Sequence, residues 1–356
     1  EFFLRSRSFT FPGMKIAEIF GIDDGPLWEE IRRNILHVNG DDHRRLRGLV
    51  NPFFTPRAVE RWREAMRATL AELFAPLGGR CEAVAALCKP YPSRVIATVM
   101  GAPLEDAERL WEWSNVIQRQ FGMSVLEERP GIERALTEFH AWVDALLERR
   151  RADPADDLIS HLIHARFEGE KLDDAELVNL VLNVLIGGVD TTQSQLAQAL
   201  RLFAGHPGQW ERLAADPELA PAAVEEVVRF EPITPFTARI ALEEVACRDV
   251  TFPEGTVVLV CAHTGNRDEP GGDEFDITAE RAGKPLTFGA GPHYCLGANL
   301  ARAELQEALR FLAPRMPGLE LDGEPAYGTI DGIYGLDALP IRWLTPPATE
   351  APAART

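Results

Sequence analysis

The sequence has no run of eighteen or more apolar residues, so no membrane-spanning helix is expected. Its cysteines are few and odd in number: Cys81, Cys88, Cys247, Cys261 and Cys295. They show no framework spacing, which excludes a disulfide scaffold and suits a reducing cytoplasm. Positive charge is scarce, with 37 Lys and Arg against 55 Asp and Glu and a net charge of −18. That balance argues against nucleic acid as a partner and for solubility. There are no internal repeats, no composition break marking a linker, and no flavin or iron–sulfur motif. The 356 residues, 46% hydrophobic and 26% charged, therefore read as one ordinary globular domain over residues 1–344. A Pro/Ala-rich tail, Thr345 to Thr356, is expected to be disordered.

Helical periodicity dominates. It covers Pro56–Leu77, Tyr91–Met100, Leu104–Phe121, Ile132–Arg151, Asp156–Arg166, Asp173–Phe203, Pro207–Ala214, Pro221–Phe230 and Asn299–Leu312. Asp173 and Glu176 form a capping-box pattern at the start of the longest stretch. Strand patterns are few: Phe236–Leu242, Val257–Cys261 and Leu339–Leu344. The fold class is mainly α with small β-sheets.

The most informative segment is Phe288-Gly289-Ala290-Gly291-Pro292-His293-Tyr294-Cys295-Leu296-Gly297-Ala298. Two glycines and a proline make a tight turn ahead of the sulfur. The helix that follows favours negative charge at its N-terminus, so a lowered thiol pKa is expected. Such a thiolate suits one strong axial bond to a metal, and zinc lacks the further Cys or His spacing it uses. His293 could be a second ligand, but its place on the tight turn argues against that.

This segment resembles the haem-binding loop of the cytochromes P450, Phe-x-x-Gly-x-x-x-Cys-x-Gly, with Phe288, Gly291, Cys295 and Gly297 at the fixed positions. The resemblance implies a cytochrome P450 fold, with haem b between a long distal helix and a proximal Cys loop, and Cys295 as the iron ligand. It covers nearly the whole chain. Family members carry further residues ahead of the segment matched by Phe3 to Phe9, so a first helix and first strands are expected to be missing here.

Three more patterns occur in the family's order. Gly187-Gly188-Val189-Asp190-Thr191-Thr192 sits inside the longest helical stretch. Each interior glycine there costs about 1 kcal/mol relative to Ala. A flat ligand against the backbone, or a local kink, would justify them. By resemblance Gly187 and Gly188 border the haem, Thr191 serves dioxygen activation, and Asp190 relays protons from solvent. Glu226 and Arg229 share a helix face. By resemblance they are a buried structural pair. His43 and Arg47 also share a face. The resemblance assigns them, with Arg239 and His293, to the haem propionates.

Asn183, Gly187 and Thr191 follow a four-residue spacing. Asn183 therefore either hydrogen-bonds a substrate, or caps a backbone carbonyl or faces a neighbouring helix. Ile233, Thr234 and Ile333 are further pocket candidates by resemblance.

The implied protein is a soluble, bacterial-type haem–thiolate monooxygenase, cytoplasmic and monomeric. It would insert one oxygen atom of O2 into an apolar small molecule. Electrons would come from NAD(P)H through a reductase and a ferredoxin or flavodoxin. A basic island between Asp41 and Arg67, with seven arginines against four acids, suggests docking of that donor near Arg44 and Arg45 on the proximal face. A peroxide-driven peroxygenase is the alternative, although such members usually lack the acid–alcohol pair. A haem sensor or ligand carrier has no use for a proton relay.

Overall fold

The structure is a computed structural model that describes residues 1–328 and 332–345. From position 346 the expected disordered tail lies outside the described residues. The chain opens with short helices α1 (Phe2–Arg5), α2 (Gly13–Ile19) and α3 (Gly25–Arg33), followed by α4 (Gly40–Val50). Strand β1 (Phe9–Thr10) lies between α1 and α2. The helical mass follows: α5 (Pro56–Val59), α6 (Arg63–Phe74), strand β2 (Arg80–Glu82), α7 (Pro90–Met100), α8 (Ala107–Gln118), α9 (Val125–Ala152) and α10 (Leu158–His164). Next come α11 (Asp174–Gly188), α12 (Asp190–Gly205), α13 (Pro207–Ala215) and α14 (Ala220–Phe230). Strands β3 (Phe236–Ala241), β4 (Val245–Cys247), β5 (Val250–Phe252) and β6 (Val257–Cys261) precede α15 (Ala262–Gly265). Helix α16 (Ala298–Leu312) starts just after Cys295, and β7 (Glu320–Leu321), β8 (Ala326–Tyr327), β9 (Leu336–Ala338) and β10 (Pro340–Arg342) close the described chain.

The sheets are small and antiparallel, as the sparse strand patterns imply. They are ordered β1-β3-β6 and β2-β10-β7, with the pairs β4-β5 and β8-β9. Phe9 sits opposite Ala241, and Phe236 opposite Cys261. The core lies among α6, α7, α9, α11, α12, α14 and α16, where large side chains such as Tyr91, Phe139, Phe203 and Trp210 are fully buried.

Two differences from the sequence expectation have clear causes. The stretch Pro56–Leu77 breaks into α5 and α6 around a 3-10 turn at Glu60–Trp62. The long stretch Asp173–Phe203 divides at Val189, whose φ −87° and ψ −71° leave it outside both helices. The Thr191 hydroxyl donates to the Gly187 carbonyl at 2.6 Å, competing with the backbone ladder at that place. The capping box at Asp173 and Glu176 forms as expected. Taken together, Asp174–Gly205 is long and apolar enough to cross a membrane, yet 67% of its most apolar window is buried inside the protein.

Candidate active site

The Cys295 loop is set by backbone geometry. Gly289 and Gly291 hold φ of 71° and 72°, values that favour glycine. A Cβ at Gly291 would lie 2.5 Å from the Leu4 carbonyl oxygen, so α1 presses against the loop. The Cys295 N–H donates to the Phe288 carbonyl at 2.9 Å, closing the turn. Arg302, one turn into α16, lies over the Phe288 ring at 4.4 Å and donates to the Tyr294 hydroxyl and to Glu225. The thiol pKa departs from expectation. Burial raises it, and this outweighs the opposing N–H groups of Gly297 and Ala298 and the charges of Arg47 and Arg302. The helix terminus acts as the sequence implies, but desolvation is the larger effect. Gly297 faces open space.

The two glycines of the distal stretch do different jobs. A Cβ on Gly187 would meet nothing within 4 Å, so this face is an open slot. One on Gly188 would lie 2.4 Å from Cδ1 of Ile96. Gly188 therefore lets α11 pack on α7. Asp190 is buried and accepts a hydrogen bond from the Ser114 hydroxyl at 2.5 Å. Burial raises its pKa to about 6, against smaller lowering from Ser114 and Asn115. These α8 residues were not singled out from the sequence; no local spacing links them to Asp190. The Asn183 side chain resolves toward the structural alternative. Its carbonyl accepts from the Ile35 N–H at 2.9 Å, and its amide donates to Asn179 at 3.4 Å.

A cationic cluster adjoins the Cys loop. The buried His43 ring lies 4.2 Å from the His293 ring. His293 shares a contact with the Asn39 side-chain oxygen through Nε2 at 3.0 Å, while its buried Nδ1 has no partner. Arg47 donates to the Tyr294 carbonyl at 3.0 Å. Arg239 is 3% exposed, and its side chain donates only to the Ala238 carbonyl among the described residues. Burial, with the neighbouring cations, lowers His43 to about 4 and His293 to about 3. Burial lowers Arg239 too. Among the described residues none of these four has a carboxylate partner. An anion with two carboxylates fits this cluster, and the propionates of haem meet that description.

On the other side of the loop Glu226 and Arg229 form a buried two-pronged pair at 2.7 and 2.8 Å. Arg229 also donates to the carbonyls of Asn266, Gly272 and Glu274. A third member, Arg281, donates to Glu226 at 2.7 Å. It is distant in sequence and carries no local signal.

The pocket candidates come together in part. The Ile233 carbonyl accepts from the Tyr334 N–H at 2.7 Å, which sets the turn holding Ile333 beside Ile233 and Thr234. Ile233 is buried, whereas Thr234 and Ile333 are partly exposed. The basic island is largely matched by internal acids. Arg44 pairs with Asp41 and Glu168, and Arg45 with Glu170 and Glu176. Arg61, Arg63 and Arg67 pair with Asp156, Glu60 and Glu307.

A cysteine loop opening a helix, an open glycine slot beside an acid and an alcohol, and buried arginines and histidines without acids are groups that fit a haem–thiolate site. The cytochrome P450 family model matches residues 28–312. The chain is 38% identical over 336 residues to luteothin monooxygenase of Streptomyces thioluteus, covering 92% of this chain and 82% of that one. It is 36% identical over 301 residues to mycinamicin IV hydroxylase/epoxidase of Micromonospora griseorubida, covering 82% and 75%. The crystal structure of P450BioI in complex with an acyl carrier protein ligated to hexadec-9Z-enoic acid superposes with a TM-score of 0.88 at 30% identity, covering 96% and 89%. The chain belongs to the cytochrome P450 family and has its fold. Its enzyme class is that of a P450 monooxygenase, and the family implies haem and O2.

Proposed function

We propose that this protein inserts one oxygen atom of O2 into a largely apolar small molecule, with electrons delivered from NAD(P)H by a reductase and a ferredoxin or flavodoxin. The observation that carries this reading is the buried Asp190 beside Thr191 at the open Gly187 slot. Cys295 would hold the iron, and Arg239, His293, His43 and Arg47 would hold the propionates. When bound, the haem supplies thiolate-assisted cleavage of the O–O bond.

The chain's own groups handle the protons. Asp190, with a pKa of about 6, exchanges protons near neutral pH. Ser114 fixes one of its carboxyl oxygens. The Thr191 hydroxyl donates to Gly187 and can turn its proton toward the slot. Ile233, Thr234 and Ile333 are the candidate substrate contacts. The acid–alcohol pair counts against a peroxide-driven reaction, and equally against a sensor or carrier.

The relatives named for luteothin and mycinamicin IV support an organic small molecule as substrate. Electron-donor docking on the α4 face, near Arg44 and Arg45, remains our reading. There the exposed part of Arg44 offers the charge.

The test is direct. The reduced carbonyl complex should show the red-shifted Soret band of thiolate-ligated haem, and Cys295→His should lose it. Asp190→Asn should slow turnover about a hundredfold and remove an inflection near pH 6. Thr191→Ala should keep haem and divert electrons from product to peroxide. Unchanged turnover and coupling in both variants would overturn the reading.

A further inference from the structure

Asp190 is buried at the start of α12, and the groups that govern it come from α8. The two helices run antiparallel here and are joined by two polar rungs. The Trp111 indole N–H donates to the Gln193 side-chain oxygen at 2.7 Å, and the Ser114 hydroxyl donates to Asp190 Oδ2 at 2.5 Å. Trp111 and Ser114 lie three residues apart on α8, as do Asp190 and Gln193 on α12, so the rungs are about one turn apart. The Lys89 ammonium lies 3.5 Å from the centre of the Trp111 ring and braces it. The first rung thus sets the register that puts Ser114 at Asp190. A slip of one residue along α8 would swing Ser114 by about 100° around the helix axis.

A second donor stands beside Ser114. The Asn115 side chain also hydrogen-bonds the Asp190 carboxyl. Its orientation is set from the surface: the Asn115 oxygen accepts from Arg119 at 3.3 Å, and Arg119 pairs with Glu128 of α9 at 3.2 Å. With its oxygen turned to Arg119, Asn115 presents its amide N–H groups to Asp190. We propose that α8 is the positioning element of the proton relay: Ser114 and Asn115 hold the Asp190 carboxylate and set the pH at which it takes and gives its proton, and the Trp111–Gln193 rung keeps both donors in register. This role rests on Asp190 being the relay acid proposed above.

Burial disfavours the charged carboxylate and drives its pKa up, whereas the two α8 donors favour the charged form, and the balance leaves it at about 6. Without them the acid would stay protonated further into the neutral range and exchange its proton less readily. Among the described residues no charged side chain acts on Asp190. Lys89 is engaged by Trp111, Arg94 of α7 by Glu72 and Arg119 by Glu128. Neither Glu112 of α8 nor Glu304 of α16 bears on it. The hydrogen bonds from α8 are therefore what opposes burial.

The experiment follows, by infrared difference spectroscopy of haem-loaded protein against pH, the protonated-carboxyl band that Asp190→Asn removes. In the wild type this band should titrate near pH 6. Ser114→Ala should raise the midpoint by about one unit, and Asn115→Ala, at a half-exposed position that tolerates truncation, by less. Ser114→Cys, a weaker donor of similar size, should fall between Ser114→Ala and the wild type. Trp111→Phe should also raise the midpoint, although Trp111 donates to Gln193 and not to Asp190. The pH inflection in turnover should move with the band in each variant. A midpoint unmoved in both Ser114→Ala and Asn115→Ala, with the inflection still lost in Asp190→Asn, overturns the role of α8 and leaves the relay acid standing. An inflection that survives Asp190→Asn, or that stays put while the band moves, overturns the relay reading itself and the role of α8 with it.

Discussion

Arg229 and Arg239 are ten residues apart, both 3% exposed, and yet opposite in kind. Arg229 has its guanidinium filled by one carboxylate and three carbonyls. Arg239 has one carbonyl. A buried charge that the chain satisfies itself is part of the scaffold. One that the chain leaves without an acid marks where an anion from outside belongs. By this criterion the region around Glu226 is framework, and the region around His43, Arg239 and His293 fits the carboxylate receptor proposed above.

The largest expected effect would break the framework half. Arg229→Met leaves Glu226 with Arg281 and the Asp276 N–H and strips three carbonyls of their donor, so stability should fall by about 3–5 kcal/mol in urea unfolding. A loss under about 1 kcal/mol would mean that the pair is not framework. Arg239→Met should do the reverse. Folding should hold or improve, while haem should leave faster to an acceptor globin, with affinity lower by about 2 kcal/mol, or about thirtyfold. Unchanged haem retention would break the comparison.

A subtler test uses pH. The folded pKa of His43, about 4, lies below its ordinary 6.5. Below 6.5 the unfolded chain takes the proton first, so stability is full above that value and is lost as pH falls toward 4. A propionate beside His43 would raise the folded pKa, so haem-loaded protein should lose less over this window than haem-free protein. Parallel losses would remove His43 from the receptor.

The smallest effect is expected at the surface. Arg44 has a side chain 59% exposed and is paired with Asp41 and Glu168. Arg44→Glu should slow reduction by a ferredoxin by less than about fivefold, with the difference fading in salt. A much larger effect would show that Arg44 trades its internal acids for the donor's.

These contrasts also define what could be read from the sequence. The Cys295 loop was legible because its fixed positions answer to local backbone geometry: two positive φ values and one turn-closing hydrogen bond. The mainly helical fold and the capping box at Asp173 were legible from periodicity. What escaped was set by distant partners. Arg281 joins Glu226 from fifty-five residues away. Gly188 was read with Gly187, but a step of one residue turns it toward Ile96. Five arginines of the basic island, Arg44, Arg45, Arg61, Arg63 and Arg67, looked free because most of their acids lie elsewhere in the chain. The direction of the Cys295 shift followed burial, which no spacing reports.

The contact between Gly291 and Leu4 has a practical consequence. The loop that carries the cysteine is braced from behind by the backbone of α1. Residues 4 and 291 are therefore one mechanical joint. A side chain at position 291 would meet strained φ and a wall at once, and relieving the wall means lifting α1. Conversely, a displacement of Phe2–Arg5 is felt at the turn that carries Cys295.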